Sequence, residues 1–308
     1  MSILLRKIKT AYNLLLRPVI YKLRNTSEFL FTGRSLRLVV NGWFRHCGTN
    51  VIRNNWGDDI NYYVLSLITR RIIFNYSSIF RCTIREGEPN YTCIGSVIDR
   101  FCDSRTVVWG SGVLCGDSVL KEKPARVCAV RGPLSRKYLL ERGVECPEVY
   151  GDPALLLPRI VKPERKIKYK LGIVPIVPDI NNPNLKSLLS QSENVKFINM
   201  MDYGNDWRLV IEDICSCECI ASSSLHGLIV SDAYGVPNVR VAFSDCAAGG
   251  DFKYNDYYMS VSREMNKPIY IDENTSVDNL IEQCRKWKPI TFDAQPLIDS
   301  CPFDLINI

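Results

Sequence analysis

The chain has 308 residues, 46% hydrophobic and 23% charged, with no low-complexity tract. That is a globular composition long enough for two domains, and no apolar run approaches the roughly 20 residues that would span a bilayer. The net charge of +6 is carried entirely by residues 1–34, where seven Lys/Arg face one acid, Glu28, so the remainder is neutral; with no recognised binding motif, this argues against a nucleic-acid partner.

In chain order, the leader comes first. Leu4, Ile8, Ala11 and Leu15 form one helical row, and Tyr12, Leu16, Val19 and Leu23 another, with Pro18 expected to break or kink the helix. A basic amphipathic segment such as residues 1–24 can lie on an anionic membrane surface, or pack on its own domain or a partner subunit. No A-x-A-like cleavage site follows it, so it does not read as a signal peptide. Strands are then predicted at 36–40, 92–95, 106–109 and 127–130, with helices at 58–71 and 133–142. Pro133 opens the latter helix and Gly143 follows it.

The charged stretch RIVKPERKIKYK reads as a linker to a second series. Its strands are expected at 170–174, 195–198, 218–221 and 238–243, and its helices at 184–190, 206–214, 225–234 and 277–287. An irregular tail is expected to pack back on the first domain. Such alternation predicts an α/β protein with two parallel sheets, each with helices on both faces and ligands beyond the strands' carboxyl ends. The expected divisions are 1–34, 35–158, 159–290 and 291–308. Thirteen cysteines scattered through these elements, with no secretory signal, fit free thiols in a reducing compartment. The run Cys215, Cys217, Cys219 lacks a second cluster and reads as buried thiols rather than a metal site.

Three strand-to-helix turns could carry chemistry. In Asn55-Trp56-Gly57-Asp58-Asp59 the glycine permits close backbone approach, and either aspartate can cap the helix or contact a substrate. In Val130-Arg131-Gly132-Pro133 the arginine suits bidentate binding of a carboxylate or phosphate, or a structural salt bridge. The third, Ser222-Ser223-Ser224-Leu225-His226, joins hydroxyls and an imidazole to a helix N-terminus. It reads as plain end-capping or as an anion site with a proton shuttle. His46, the other histidine, lies in a loop after the first strand and could reach the cleft, though a loop histidine is more often incidental.

Taken together, several segments resemble the polysaccharide pyruvyl transferase family. They are NWGDDIN (55–61), IGSVI (94–98), VVWGSGV (107–113), VRGPLSRKYLLERG (130–143), YGDPALLLP (150–158), LGIVP (171–175), SSSLHGLIVSDAYGVPN (222–238) and FKYNDYYMSV (252–261). The resemblance implies a GT-B-like pair of Rossmann-type domains facing across a cleft. It also implies transfer of pyruvate from phosphoenolpyruvate, the donor substrate, to two hydroxyls of a saccharide as a cyclic ketal, with release of phosphate and no metal or other cofactor. Arg131 and His226 stand where the family ties residues to the donor site. Ser224 stands where many members carry arginine, and Ile176 where an exopolysaccharide branch carries histidine, so a second cation for the donor is expected elsewhere.

On this reading Arg131, Ser222, Ser223, Ser224 and Lys253 bind the donor. His226, with a pKa near neutrality, is the general acid/base. Gly57 is a substrate-binding candidate through close backbone approach. Asp58, Asp59 and Asp152 are candidates for contacting acceptor hydroxyls or holding the loops, with Asp152 expected to be structural beside Pro153. The resemblance implies a cytoplasmic enzyme of bacterial exopolysaccharide or capsule biosynthesis, with the leader offering peripheral contact to the inner membrane face and hence to a lipid-linked acceptor. Two alternatives stand beside it: a glycosyltransferase using a nucleotide sugar, for which no convincing ribose-binding Glu is present, and a non-catalytic saccharide-binding protein.

Overall fold

The computed structural model describes residue 13, residues 16–306 and residue 308. The leader row of Leu4, Ile8, Ala11 and Leu15, together with Tyr12, lies outside these residues. Helix α1 (Arg17–Phe31) carries Pro18 in its first turn, where a missing N–H is tolerated, and Leu16 before it is already in helical conformation. It buries Asn25, Thr26 and Phe29, and the Phe29 ring meets Phe74 edge-on at 5.3 Å. Asn25 donates to the His46 carbonyl at 2.8 Å and accepts from the Gly48 amide at 2.8 Å.

The first sheet is built from β1 (Arg37–Val40), β4 (Ile72–Asn75), β5 (Asn90–Thr92), β6 (Thr106–Trp109) and β7 (Arg126–Ala129). A short hairpin, β2 (His46–Cys47) with β3 (Asn50–Val51), and helix α2 (Trp56–Thr69) intervene between β1 and β4. The strand order is β4-β1-β5-β6-β7, all parallel. Side chains alternate across the pleat. Leu38 and Val40 pack with Ile60, Val64 and Leu65 of α2, while Val39 packs with Phe29 and Phe74 on the opposite face. Helices α3 (Ile98–Phe101) and α4 (Pro133–Leu140) cover the far strands.

Short helix α5 (Leu157–Ile160) leads to the second sheet: β8 (Tyr169–Val174), β9 (Val195–Phe197), β10 (Cys217–Ser222), β11 (Asn238–Ala242) and β12 (Ile269–Tyr270). Its helices are α6 (Pro183–Ser190), α7 (Leu209–Cys215), α8 (Leu225–Ala233), α9 (Phe252–Ser260) and α10 (Val277–Cys284). Leu185 and Leu188 of α6 and Leu280 of α10 cover one face of the sheet. Ile211 and Ile214 of α7 and Leu228 and Ile229 of α8 cover the other. The order β12-β11-β10-β8-β9, again all parallel, is the first sheet's order over again. Counting strands within each sheet, both run 2-1-3-4-5. This doubly wound order has its switch point between the first and third strands, where ligands collect beyond the carboxyl ends.

The tail returns to the first sheet through α11 (Gln295–Asp299). The Trp109 indole donates to the Leu297 carbonyl at 2.9 Å, and the Phe303 ring sits edge-on to Tyr91 and Trp109. Strand β4, strand β12 and helix α9 were not among the predicted elements. The predicted helix at 206–214 begins at Leu209, because Asp206 accepts from the Arg208 amide in the turn before it. Among the described residues no helix is long and apolar enough to cross a membrane.

Candidate active site

A cavity of about 310 Å³ opens where the two switch points meet. From the first sheet come Trp43, beyond β1, and Gly95 and Ser96, beyond β5; from the second come Pro175 and Ile176, beyond β8, and Ser224, beyond β10. Asn55, Asp58, Arg100, His226 and Lys253 add to the polar lining.

Local sequence explains how each group arrives. The start of α2 is anchored to the second half of the chain: the Trp56 amide donates to the Met200 carbonyl at 2.8 Å and its indole to the Trp207 carbonyl at 2.7 Å. This leaves Gly57 against His226, where an added Cβ would lie 2.2 Å from Nδ1. The glycine is thus required by close approach rather than by backbone conformation. Replacing Gly57 by Ala should move the imidazole and lower turnover about 10²-fold while the fold persists; steady-state rates beside a thermal melt would check this.

Of the three serines, only Ser224 lines the cavity. The Ser222 hydroxyl donates to the Ser224 carbonyl at 2.8 Å and accepts from its amide at 3.1 Å. The Ser223 hydroxyl accepts from the Ile176 amide at 2.9 Å. Both tie strand ends together, so the expectation that Ser222 and Ser223 hold substrate through their hydroxyls does not fit this geometry. Ser224 is the N-cap of α8 yet makes no side-chain capping bond, so its hydroxyl is left for the cavity.

The two aspartates of the α2 turn separate. Asp58 faces the cavity and accepts from Asn55 Nδ2 at 2.9 Å; burial pushes its pKa up to about 6. Asp59 is fully buried and accepts from the Asn54 amide at 2.8 Å and the Tyr203 hydroxyl at 3.0 Å. It clamps the loop and is not among the residues lining the cavity, which is the loop-holding one of its two expected roles.

Arg131 is also sealed, with no exposed surface. Its Nε donates to Asp256 Oδ2 at 3.0 Å, Nη2 lies 3.0 Å from the same oxygen and donates to the Val113 carbonyl, and Nη1 donates to Ser96 Oγ. Asp256 also accepts from the amide and hydroxyl of Ser135 in the first turn of α4, at 2.8 and 2.7 Å. Gly132 lets these helices meet, since a Cβ there would fall 1.8 Å from the Asp256 carbonyl oxygen. The salt-bridge alternative therefore describes the geometry of Arg131: it lies beneath the cavity, outside its lining residues, and its charge acts on His226 and Lys253. The cations that line the cavity are Lys253 and Arg100, the second of which the sequence reading missed.

His226 is buried, and it does not have the near-neutral pKa expected of it. Desolvation first, then the charges of Arg131 and Lys253, push it down to about 3, so the imidazole is neutral. Its Nε2 has no hydrogen-bond partner and stands 3.8 Å from Asp152 Oδ2, itself without one. Burial raises Asp152 to about 7, although its other oxygen accepts from the Ala154 amide at 3.0 Å. Asp152 does cap a turn, as expected, but it also faces the histidine. Burial and the neighbouring Arg131 and Arg240 lower Lys253 to about 8. The other histidine is structural: His46 Nε2 accepts from the Asn75 amide at 2.9 Å and Nδ1 faces the Gly48 carbonyl at 2.9 Å.

The chain is similar to two proteins at modest identity. An uncharacterized protein, L143, from Acanthamoeba polyphaga mimivirus is 25% identical over 209 residues, covering 66% of this chain and 69% of that one. The succinoglycan biosynthesis protein ExoV of Rhizobium meliloti (strain 1021) is 26% identical over 241 residues, covering 76% of this chain and 69% of ExoV. A functionally uncharacterized Klebsiella pneumoniae protein, KP1_0663, of known crystal structure, aligns over 88% of this chain and all of its own at 14% identity, with a TM-score of 0.41. The family model for polysaccharide pyruvyl transferase matches residues 86–245, more than half of the chain and a span that includes Arg100, Arg131, Asp152, Ser224 and His226. By that match the chain belongs to the polysaccharide pyruvyl transferase family.

Proposed function

We propose that this protein transfers pyruvate from phosphoenolpyruvate to two hydroxyls of a saccharide during exopolysaccharide assembly, forming a cyclic ketal and releasing phosphate. In this reading residues 35–158 and 159–290 act as two Rossmann-type domains of a GT-B-like frame. The observation that carries it is the meeting of both switch points at one cavity, with two cations, a helix N-terminus and an unpartnered imidazole facing it. A trianionic donor needs such cations and amides for its phosphate and carboxylate. Lys253, Arg100 and the first turn of α8 supply them, and Ser224 leaves room where an arginine would otherwise stand.

The chemistry then proceeds in balanced steps. A proton adds to the methylene carbon of the donor, giving a methyl group and an oxocarbenium-like centre. One saccharide hydroxyl attacks that centre and loses its proton; the second hydroxyl attacks with departure of phosphate, and its proton leaves with the phosphate or returns to the site. Two hydroxyl protons are released, and one replaces the proton placed on carbon. Neutral His226 suits the role of base towards a hydroxyl. The donor's negative charge raises its pKa on binding, which lets the same ring return the proton. Asp152, protonated up to about pH 7, stands behind it as the neighbouring proton store. Asp58 faces the acceptor side as a hydrogen-bond acceptor.

Phosphate release from phosphoenolpyruvate, measured with and without candidate oligosaccharides, tests this reading; release that no saccharide stimulates would defeat it. A pH profile adds a sharper check. Lys253 must be charged to hold the donor, and its pKa near 8 means that charge is lost as pH rises through that value. The kcat/KM for phosphoenolpyruvate should therefore fall about tenfold per unit above pH 8, and Lys253→Arg should move that limb to higher pH.

A further inference from the structure

Helix α1 presents two faces of opposite use. Asn25 is buried against the β2–β3 hairpin and Phe29 against the first sheet, yet Leu16, Val19, Ile20, Leu23, Leu30 and Phe31 are 47 to 91% exposed. At 3.6 residues per turn these six fall within a sector of roughly 120° on the side away from Asn25 and Phe29. The stripe runs about 24 Å along the helix at 1.5 Å per residue. Arg17 and Arg24 border it on one side and Lys22 on the other, with Arg34 just beyond the helix and Glu28 as the acid of the segment.

We propose that this face of α1 lies in the surface of an anionic lipid bilayer and holds the enzyme there. Two features that need not coincide do so here. The exposed apolar stripe and the whole of the chain's excess positive charge occupy the same N-terminal 34 residues, while the rest of the chain is neutral. An apolar stripe with cationic margins matches acyl chains beneath anionic headgroups. A second copy is a poorer occupant, because burying the stripe against itself would bring two strongly basic leaders together. The inference uses no feature of the cavity, so it can fail while the proposed reaction stands.

The test is sedimentation of the full chain with vesicles of phosphatidylcholine, either alone or with about one-third phosphatidylglycerol. Binding should be at least about tenfold stronger to the anionic vesicles and should fall by a similar factor near 1 M salt, where the screening length is about 3 Å. Leu23→Glu with Phe31→Glu should reduce binding about tenfold or more while leaving circular dichroism and turnover on a water-soluble acceptor unchanged. Arg17→Glu with Arg24→Glu should weaken binding to the anionic vesicles alone. The proposal is overturned if the native chain stays in the supernatant, if it binds both vesicles equally and without regard to salt, or if ultracentrifugation shows a dimer that Leu23→Glu dissolves.

Discussion

Replacing His226 by Gln is expected to lower the rate of saccharide-dependent phosphate release by about 10²–10⁴-fold, the range for loss of a positioned general acid/base. Glutamine keeps polarity and approximate volume but cannot take up and return a proton. The site should therefore stay folded, and the KM for phosphoenolpyruvate should change far less than kcat. The physical basis is the unpartnered Nε2, which faces Asp152 at 3.8 Å, while the Nδ1 edge of the ring lies against Gly57. A buried polar atom left without a hydrogen bond is costly to a fold and points to a partner that arrives with the substrate. A Gln variant that keeps more than about a tenth of the native rate would remove the imidazole from the chemistry.

A second large effect is expected at Asp256. Its carboxylate neutralises Arg131, caps α4 through Ser135, and is as fully buried as the arginine. Asp256→Ala would leave a sealed, unpaired guanidinium, and breaking such a pair from one side costs about 3–5 kcal/mol. Denaturant unfolding should show that loss. The double variant Arg131→Met, Asp256→Leu should recover part of it, since the burial cost of both charges disappears together while the buried Ser135 amide and hydroxyl lose their acceptor. Activity separates the two roles of the arginine. Arg131 depresses both His226 and Lys253, so Arg131→Met, where it remains folded, should show the alkaline limb of kcat/KM displaced above pH 8. An unshifted profile would reduce Arg131 to a structural brace.

How much of the site the sequence disclosed can be followed residue by residue. The Ser222–His226 turn is legible because a strand that breaks into hydroxyls before an apolar helix is a local pattern, and His226 and Ser224 do line the cavity. Lys253 and Asp58 reach it as well. Asp256 was missed, although it lies one helical turn after Lys253 on α9, because the helix itself went unrecognised. Its buried face is made of Tyr254, Tyr257 and Tyr258 rather than aliphatic residues, so the usual apolar signal is weak. Arg100 was overlooked in a helix of only four residues. Nothing local separates Asp59 from Asp58, its neighbour in sequence, so only the fold tells the loop clamp from the residue that lines the cavity.

The amino-acid sequence by itself determined the alternation of strands and helices, the turns at which polar groups gather, the charge asymmetry of the leader and the family. Each is a matter of neighbours a few residues apart, where hydrophobic period, capping chemistry and composition act directly. The tertiary structure decided which of those polar groups face the cavity and in what protonation state. Arg131 finds Asp256 across 125 positions of chain, and His226 is driven neutral by burial and by charges from distant segments. Desolvation and Coulomb interaction depend on distance in space and on exclusion of water. Neither quantity exists until the two sheets have folded and met.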